Sequence, residues 1–251
     1  MVIFPTRFFP FVLVSGGWCG GWCWQPVTQR LEAAGRHVFC VTFTGSGDRA
    51  HLLSPHIDLE TYILDIINVI RYNDLENVIL AAHSLGGLPT VAVLDRLGPR
   101  IRHVVYVDGM LPHSGECASD LIAPEVNEER LRQAKNNDGF SIPVPHGVHF
   151  PEERVRQWFI NHMTPQPLLP YQGRLNLVHP FGNNVRTTYL ACTPTRMHPM
   201  EISHERARQM PDWDYREIHC GHNAMLLRPD LVANVLLETA EFEEKAAVTP
   251  S

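Results

Sequence analysis

The sequence predicts an α/β fold with a mostly parallel, six-stranded sheet and helices on both of its faces. Short, continuous apolar runs alternate with segments whose apolar residues recur at helical spacing. This alternation is typical of a parallel sheet whose strands are buried on both faces. Glycine-rich and polar loops follow the apolar runs. The length of 251 residues suits one such domain with an insertion.

Hydrophobic residues make up 44% of the chain and charged residues 19%, which is typical of a soluble globular protein. The formal net charge of −6 argues against nucleic acid or an anionic membrane as a partner. No apolar run approaches the roughly 20 residues of a membrane span, and the first ten residues lack the order of a signal peptide. The six cysteines are scattered singly, so we expect reduced thiols and a cytoplasmic protein.

The elements follow from hydrophobic periodicity. Strands are predicted at residues 11–15, 38–43, 77–82, 104–107, 185–192 and 215–219. Helices are predicted at residues 25–34, 58–72, 88–97, 125–135, 152–161, 201–210 and 230–244. The second helix has a clear amphipathic pattern, and Asp58 is its predicted N-cap.

Regular alternation stops between the fourth and fifth strands. Residues 111–180 are rich in proline and contain two or three helical pieces. So long an interruption between regular strand–helix units predicts an inserted cap, or lid. The predicted organisation is therefore a core of residues 1–110 and 181–251 with a cap of residues 111–180.

The third predicted strand runs directly into residues 83–87 (His-Ser-Leu-Gly-Gly), and a helix follows. A serine on a sharp strand-to-helix turn has its hydroxyl held out of the sheet, at the positive end of the helix. Ala82 and Gly86 are small at the two positions where a bulky side chain would clash with such a turn. Ser84 is therefore the candidate nucleophile. The alternative, a serine that only caps the helix, does not explain these small neighbours.

Acyl transfer also needs a general base and a group that orients it. His222 follows the last predicted strand, and Gly221 lets the loop turn the imidazole back toward Ser84. The orienting acid normally follows the strand before the last, where residues 193–196 (Thr-Pro-Thr-Arg) hold no carboxylate. Asp108 ends the strand next to that of the nucleophile and is the candidate acid. The alternative role for this aspartate is to accept hydrogen bonds from nearby backbone amides.

The predicted oxyanion donors are the backbone amides of Leu85 and of Gly17, which lies in a loop with four glycines in six residues. Trp18 and three residues of the 111–180 segment, Trp158, Phe159 and Met163, are the candidate substrate-binding residues. Phe140 and Phe150 are further candidates for pocket walls, although aromatic residues in such a segment more often form its own small core. No spacing of cysteine and histidine supports a metal site.

Five stretches carry a resemblance to a known family: residues 11–22, 44–49 (Thr-Gly-Ser-Gly-Asp-Arg), 83–87, 189–193 and 221–226. In them the chain resembles the α/β-hydrolase superfamily, and more narrowly its branch of plant methylesterases, hydroxynitrile lyases and small bacterial esterases. The resemblance implies an α/β-hydrolase fold with an inserted helical cap. It also implies an ester hydrolase of small or medium substrates without a cofactor, in which Ser84, His222, Gly17 and Leu85 have the roles given above.

Three positions depart from the family pattern. Ser15 stands where the family usually has histidine, and Ala82 replaces the first glycine around the nucleophile. Thr195 stands where the family's catalytic aspartate belongs. Related dehalogenases carry their acid after the strand that holds Asp108, so the acid of this chain could have moved there.

The leading hypothesis is a carboxylic-ester hydrolase with a small-molecule ester as its partner. The alternatives are a hydroxynitrile-lyase-like enzyme and a non-hydrolytic member, which would be a biosynthetic cyclase, a lyase or a ligand receptor. The lyases carry threonine at the position of Gly16 and lysine at that of Asn223, while Thr195 favours the non-hydrolytic class. The oligomeric state stays open, with a homodimer among the candidates.

Overall fold

The computed structural model describes residues 8–145, 147–193 and 198–248. Within these residues a six-stranded sheet forms with the strand order β2-β1-β3-β4-β7-β8. Its strands are β1 (Phe11–Val14), β2 (Val38–Val41), β3 (Val78–His83), β4 (Ile101–Val107), β7 (Arg186–Thr193) and β8 (Asp214–His219). All neighbouring strands in it are parallel. The predicted fold class is confirmed.

The remaining two strands, β5 (Ser141–Ile142) and β6 (Gln166–Pro167), form a short antiparallel pair. The helices are α1 (Gln25–Ala33), α2 (Leu59–Tyr72), α3 (Gly87–Leu97), α4 (Pro124–Asn136), α5 (Glu153–His162), α6 (Leu169–Gln172), α7 (His198–Gln209), α8 (Ala224–Leu227) and α9 (Pro229–Val248). Residues 111–180 contain α4, α5, α6 and the β5–β6 pair. None of the helices in the described ranges combines the length and apolar character that a membrane span requires.

The sheet separates two hydrophobic cores. On β1, Val12 and Val14 pack into one core, and Phe11 and Leu13 pack into the other, because successive side chains of a strand point to opposite faces. The helices α2, α3 and α7 contribute to the first core, and α1, α8 and α9 contribute to the second. Burial on both faces explains why the central strands β1, β3 and β4 appear in the sequence as nearly continuous apolar runs.

Helix α2 shows how the sequence sets an element boundary. The Asp58 side chain accepts a hydrogen bond from the backbone N–H of Thr61 over 2.9 Å, as expected of an N-cap. The Thr61 hydroxyl group lies 3.4 Å from the amide nitrogen of Asp58, which completes a capping box. Six apolar side chains of this helix are buried against the sheet: Leu59, Tyr62, Ile63, Ile66, Ile67 and Ile70.

The parallel arrangement places the carboxyl ends of the strands at one edge of the sheet. Ser84 directly follows β3, and Asp108 directly follows the neighbouring strand β4. The loop that contains His222 follows β8 at the same edge. In sheets of this kind ligands bind beyond the carboxyl ends of the strands, so this edge is where a site is expected.

Candidate active site

Ser84 lies on a sharp turn, with its backbone in the left-handed region at a φ of 51°. A short 3₁₀ segment, Ser84–Gly86, connects the turn to α3. A Cβ atom at Gly86 would lie 2.5 Å from the carbonyl oxygen of Ser15, and one at Gly16 would lie 2.9 Å from the Cβ of Ser84. Glycine is therefore required at both positions. Such a strained backbone persists only where its surroundings fix it, and it is common at functional sites.

His222 reaches both Ser84 and Asp108. The Ser84 hydroxyl group donates to Nε2 of His222 over 2.9 Å, and Nδ1–H of His222 donates to Oδ2 of Asp108 over 2.6 Å. Because a carboxylate only accepts, this second bond keeps the ring proton on Nδ1 and leaves the lone pair of Nε2 directed at the serine. The arrangement can remove a proton from the hydroxyl group.

Asp108 is completely buried, and its backbone also adopts a left-handed conformation, with a φ of 47°. Its Oδ1 accepts from the backbone N–H of Cys192 over 3.1 Å and from Nε2–H of His204 over 2.6 Å. Asp108 therefore makes the contacts of both alternatives, since it bonds a backbone amide and also the ring of His222. Burial opposes ionisation, but the hydrogen bonds from His204 and His222 hold the pKa of Asp108 well below its usual range.

Sequence reasoning missed His204. This residue lies on α7, is 5% exposed and meets the ring of Tyr189 edge-on at 5.6 Å. One signal was present in the sequence, because Met200, His204 and Ala207 recur at the spacing of a single helix face, and all three are buried. A histidine on a buried face needs a polar partner. The partner itself, Asp108, becomes visible only once α7 is packed against the sheet.

His83 supports the loop of His222. Its Nε2–H donates to the backbone carbonyl oxygen of His222 over 2.9 Å, and its Nδ1 is buried with no hydrogen-bond partner among the described residues. Burial, together with the nearby His222 ring, lowers the pKa of His83 to about 3. His83 is therefore neutral at physiological pH and adds no positive charge beside the site.

A cavity of about 570 Å³ opens over Ser84 and His222. Its apolar walls include Trp18, Leu85, Met110, Ile122, Val148, Phe159, Met163, Tyr171 and Met200. Three of the four predicted substrate-binding residues, Trp18, Phe159 and Met163, are in that set. Several walls come from the 111–180 segment and others from the loop after β1, so the cavity lies between these two parts of the chain.

The fourth predicted residue, Trp158, does not line the cavity. It is 38% exposed and packs edge-on against Trp22, with the ring centroids 5.3 Å apart. The physical reason is helix geometry, because consecutive residues of α5 point about 100° apart and Phe159 is the one directed inward. Phe150 packs against Phe159 at 4.9 Å and also does not line the cavity. Phe140 likewise lies outside the lining.

Gly17 and Leu85 both line the cavity beside Ser84. A Cβ atom at Gly17 would lie 3.5 Å from Cδ2 of Leu85, so the two residues are direct neighbours. The next amide along the chain, that of Trp18, donates to the side chain of Gln166 over 2.9 Å and is already occupied. Thr195, the position where an acid was expected, lies outside the described residues.

No group of three or more His, Cys, Asp or Glu side chains in the described ranges is arranged to hold a metal ion. The chemistry that these side chains can perform themselves is proton transfer from a hydroxyl group to an imidazole, with a buried carboxylate behind it.

Comparison with known proteins gives consistent matches along almost the whole chain. The sequence model of a family described as the alpha/beta hydrolase family matches residues 11–235. A carbendazim hydrolyzing esterase of Nocardioides sp. is 31% identical, over 90% of this chain and 97% of its own length. Salicylic acid-binding protein 2 of Nicotiana tabacum is 27% identical, over 92% of this chain and 96% of its own length.

A solved structure gives the same fold. An extracellular alpha/beta-hydrolase from a Paenibacillus species superposes with a TM-score of 0.81, covering 92% of this chain and 98% of its own. Its sequence identity is only 20%, so this likeness concerns the fold alone.

Proposed function

Because the chain belongs to the alpha/beta hydrolase family, we propose that it hydrolyses small or medium carboxylic esters through an acyl-enzyme on Ser84. The observation that carries this proposal is the continuous set of hydrogen bonds from Ser84 through His222 to Asp108 at the floor of an apolar cavity. Relatives that match over almost their full length include a named esterase and named methylesterases, which supports ester hydrolysis as the reaction.

In the first half-reaction, Nε2 of His222 takes the proton of the Ser84 hydroxyl group while Oγ bonds to the ester carbonyl carbon. The carbonyl oxygen becomes an oxyanion, for which the backbone amides of Gly17 and Leu85 are the proposed donors. The intermediate then collapses, the carbon–oxygen bond to the alcohol breaks, and His222 returns the proton to the departing alcohol. In the second half-reaction water replaces the serine in the same sequence of steps, which releases the acid.

Asp108 has the role of orienting His222 and of stabilising the imidazolium that forms during both half-reactions. His204 has the role of a positioning residue, because it holds the oxygen of Asp108 that does not face His222. This arrangement supplies an acid from the end of β4, so a carboxylate at position 195 is not required for the reaction.

Residues 111–180 have the role of a cap, and Trp18, Phe159 and Met163 are proposed to contact the substrate. Apolar walls exclude water and strengthen the electrostatic interactions of the oxyanion. Trp158 is not part of this proposal, because it packs outside the cavity.

Labelling and turnover together test the function. A serine-directed phosphonate is expected to add its mass to the peptide that contains Ser84, and 4-nitrophenyl butyrate is expected to release nitrophenol. Ser84→Ala should abolish both signals. Ser54→Ala, in the loop before α2, is the matched control and should change neither. Labelling without turnover would favour a non-hydrolytic protein, and the absence of both would refute the proposal.

A further inference from the structure

Arg130 is the charged side chain of the cavity. The remaining lining residues are apolar, or are glycine, cysteine, histidine, serine and asparagine, and no Asp or Glu of the described ranges lines it. A protein with a net charge of −6 thus has a cavity in which the fixed charge is positive. The carboxylate of Asp108 lies behind His222 and is completely buried.

The guanidinium group of Arg130 is held over two aromatic rings. Its Cζ lies 5.2 Å from the ring centroid of Trp18 and 5.5 Å from that of Tyr171. Trp18 is itself fixed, because its indole N–H lies 3.0 Å from the carbonyl oxygen of Pro143. Contacts of a cation with aromatic faces orient the guanidinium group and leave its N–H donors available.

These aromatic rings connect Arg130 to the reaction centre. A Cβ atom at Gly17, the proposed oxyanion residue, would lie 2.9 Å from the hydroxyl oxygen of Tyr171. The positive charge is therefore about one aromatic ring away from the place where the ester carbonyl group would lie.

Arg130 differs from two arginines near it that pair with carboxylates. On the same helix Arg132 pairs with Glu129, and on α5 Arg156 pairs with Glu153. In the part of the chain that the structure describes, no carboxylate lies within 4.0 Å of Arg130, and Arg130 donates no hydrogen bond. A half-buried guanidinium group with five donors and no acceptor among the described residues is typical of an arginine that binds an anion from outside.

We propose that the cavity selects esters that carry an anionic group, a carboxylate in the first instance, and that Arg130 binds this group. The inference rests on the proposed function for the cleaved bond and adds the chemical class of the substrate. The apolar walls would contact the carbon chain between the ester and the anion, and Arg130 would form a bidentate pair with the carboxylate. A half-ester of a dicarboxylic acid has this chemistry.

Two pairs of matched esters test the proposal. 4-Nitrophenyl hydrogen adipate carries the anion on the acyl side, and 4-nitrophenyl 6-methylheptanoate replaces its carboxylate with an isopropyl group of similar shape. 4-Acetoxybenzoate and 4-isopropylphenyl acetate form the corresponding pair for the alcohol side. In at least one pair the anionic ester should have the higher kcat/KM, by about tenfold, in keeping with a half-exposed charge pair.

Arg130→Met keeps an apolar stem and removes the charge, so it should lower turnover of the anionic ester more than turnover of its neutral partner and abolish this preference. Arg130→Lys should retain part of the preference, because it keeps a point charge but loses the bidentate geometry. Arg154→Met is the matched control, since Arg154 is an exposed arginine of α5 that does not line the cavity. The Arg154→Met variant should prefer the anionic esters by the same factor as the unmodified protein.

A binding measurement on a variant without the serine hydroxyl group tests this inference independently of the proposed function. Ser84→Ala protein, titrated calorimetrically with the same four esters, should bind the anionic member of one pair more tightly, and Arg130→Met in that background should remove the difference. This result would support the anion site even if turnover failed. Equal affinities and equal turnover within both pairs, or an Arg130→Met effect of the same size on anionic and neutral esters, would overturn it while leaving ester hydrolysis intact.

Discussion

Two buried carboxylates lie at opposite ends of β4, and each of them bonds a histidine. Asp108 follows the carboxyl end of the strand and lies 2.6 Å from Nδ1 of His222. Glu243 of α9 faces the beginning of the strand and lies 3.0 Å from Nδ1 of His103. Both carboxylate side chains are completely buried. By distance and burial alone the two pairs look alike.

Their surroundings differ. Glu243 also accepts from Arg102 over 2.7 Å, and the other ring nitrogen of His103 lies 2.9 Å from the hydroxyl group of Thr188, inside the fold. The other ring nitrogen of His222 instead meets Ser84 in an open cavity. A buried carboxylate–histidine pair is therefore not by itself evidence of catalysis. What distinguishes the Asp108 pair is that its histidine reaches a serine hydroxyl group that faces an open cavity.

Asp108→Asn should produce the largest effect on activity. The asparagine amide can donate as well as accept, so it no longer fixes the tautomer of His222, and it cannot stabilise an imidazolium. We expect kcat/KM for 4-nitrophenyl butyrate to fall by on the order of a hundredfold or more. Circular dichroism would verify that the variant is folded. Unchanged turnover in a folded variant would remove Asp108 from the mechanism.

Glu243→Gln should affect stability and leave activity unchanged. Removing the charge leaves Arg102 and His103 facing a neutral amide, and loss of one member of a buried ionic pair is destabilising. We expect the free energy of unfolding in urea to fall by about 2 kcal/mol. This loss is smaller than that expected for a fully buried pair, because Arg102 is partly exposed. Ester turnover of the folded variant should stay within about twofold of the original. A loss of turnover comparable to that of Asp108→Asn would mean that the two ends of β4 are not functionally distinct.

His204 offers a smaller test at the Asp108 end. His204→Met removes the donor to Oδ1 of Asp108, so we expect kcat to fall by about tenfold with little change in KM. A carboxylate with one donor fewer attracts the proton of His222 more strongly, so the acidic limb of the pH–rate profile should move to higher pH.

His204→Gln is the matched control, because its side-chain amide nitrogen can replace Nε2 as the donor. It should restore most of the rate and the original pH profile. A purely structural role would instead lower the yield of folded protein in both variants and leave the profile of the folded fraction unchanged.

The sequence predicted most of what depends on local pattern. Strand–helix alternation identified all six strands of the sheet, and the small residues Ala82 and Gly86 identified the turn at Ser84. The order of strands also indicated that Asp108 and Ser84 would be close, since β3 and β4 are neighbours. Because a parallel sheet brings distant segments to one edge, these residues could be assigned to one place without coordinates.

What the sequence did not predict depends on packing between elements. His204 became visible as a partner of Asp108 only when α7 was placed on the sheet. Trp158 was expected in the pocket together with Phe159, but only the packing of α5 decides which of two adjacent residues faces inward. Arg130 was not considered at all, because an arginine on a polar helix gives no local sign that its carboxylate partner is missing.

The pH dependence of stability sharpens the contrast between the two ends of β4, because a buried histidine lies near each. The pKa of His83, beside His222, is lowered to about 3 by burial and by the neighbouring ring. Burial also lowers the pKa of His103, but the hydrogen bond to Glu243 counteracts this effect. An unfolded histidine titrates near 6.5, so below that pH the unfolded chain binds protons that the folded chain excludes, and stability falls with falling pH.

From pH 7.5 to pH 5.5, His83 should account for a loss of about 1 kcal/mol in the free energy of unfolding. His83→Gln should remove that share, since its amide can still donate to the carbonyl oxygen of His222. His103→Gln should flatten the pH dependence of stability less than His83→Gln does, because Glu243 already favours the protonated form of the His103 ring. Urea unfolding at the two pH values measures the change in the free energy of unfolding with pH for each variant. An equal or larger flattening in His103→Gln would show that the carboxylate at the beginning of β4 does not offset burial as its geometry indicates.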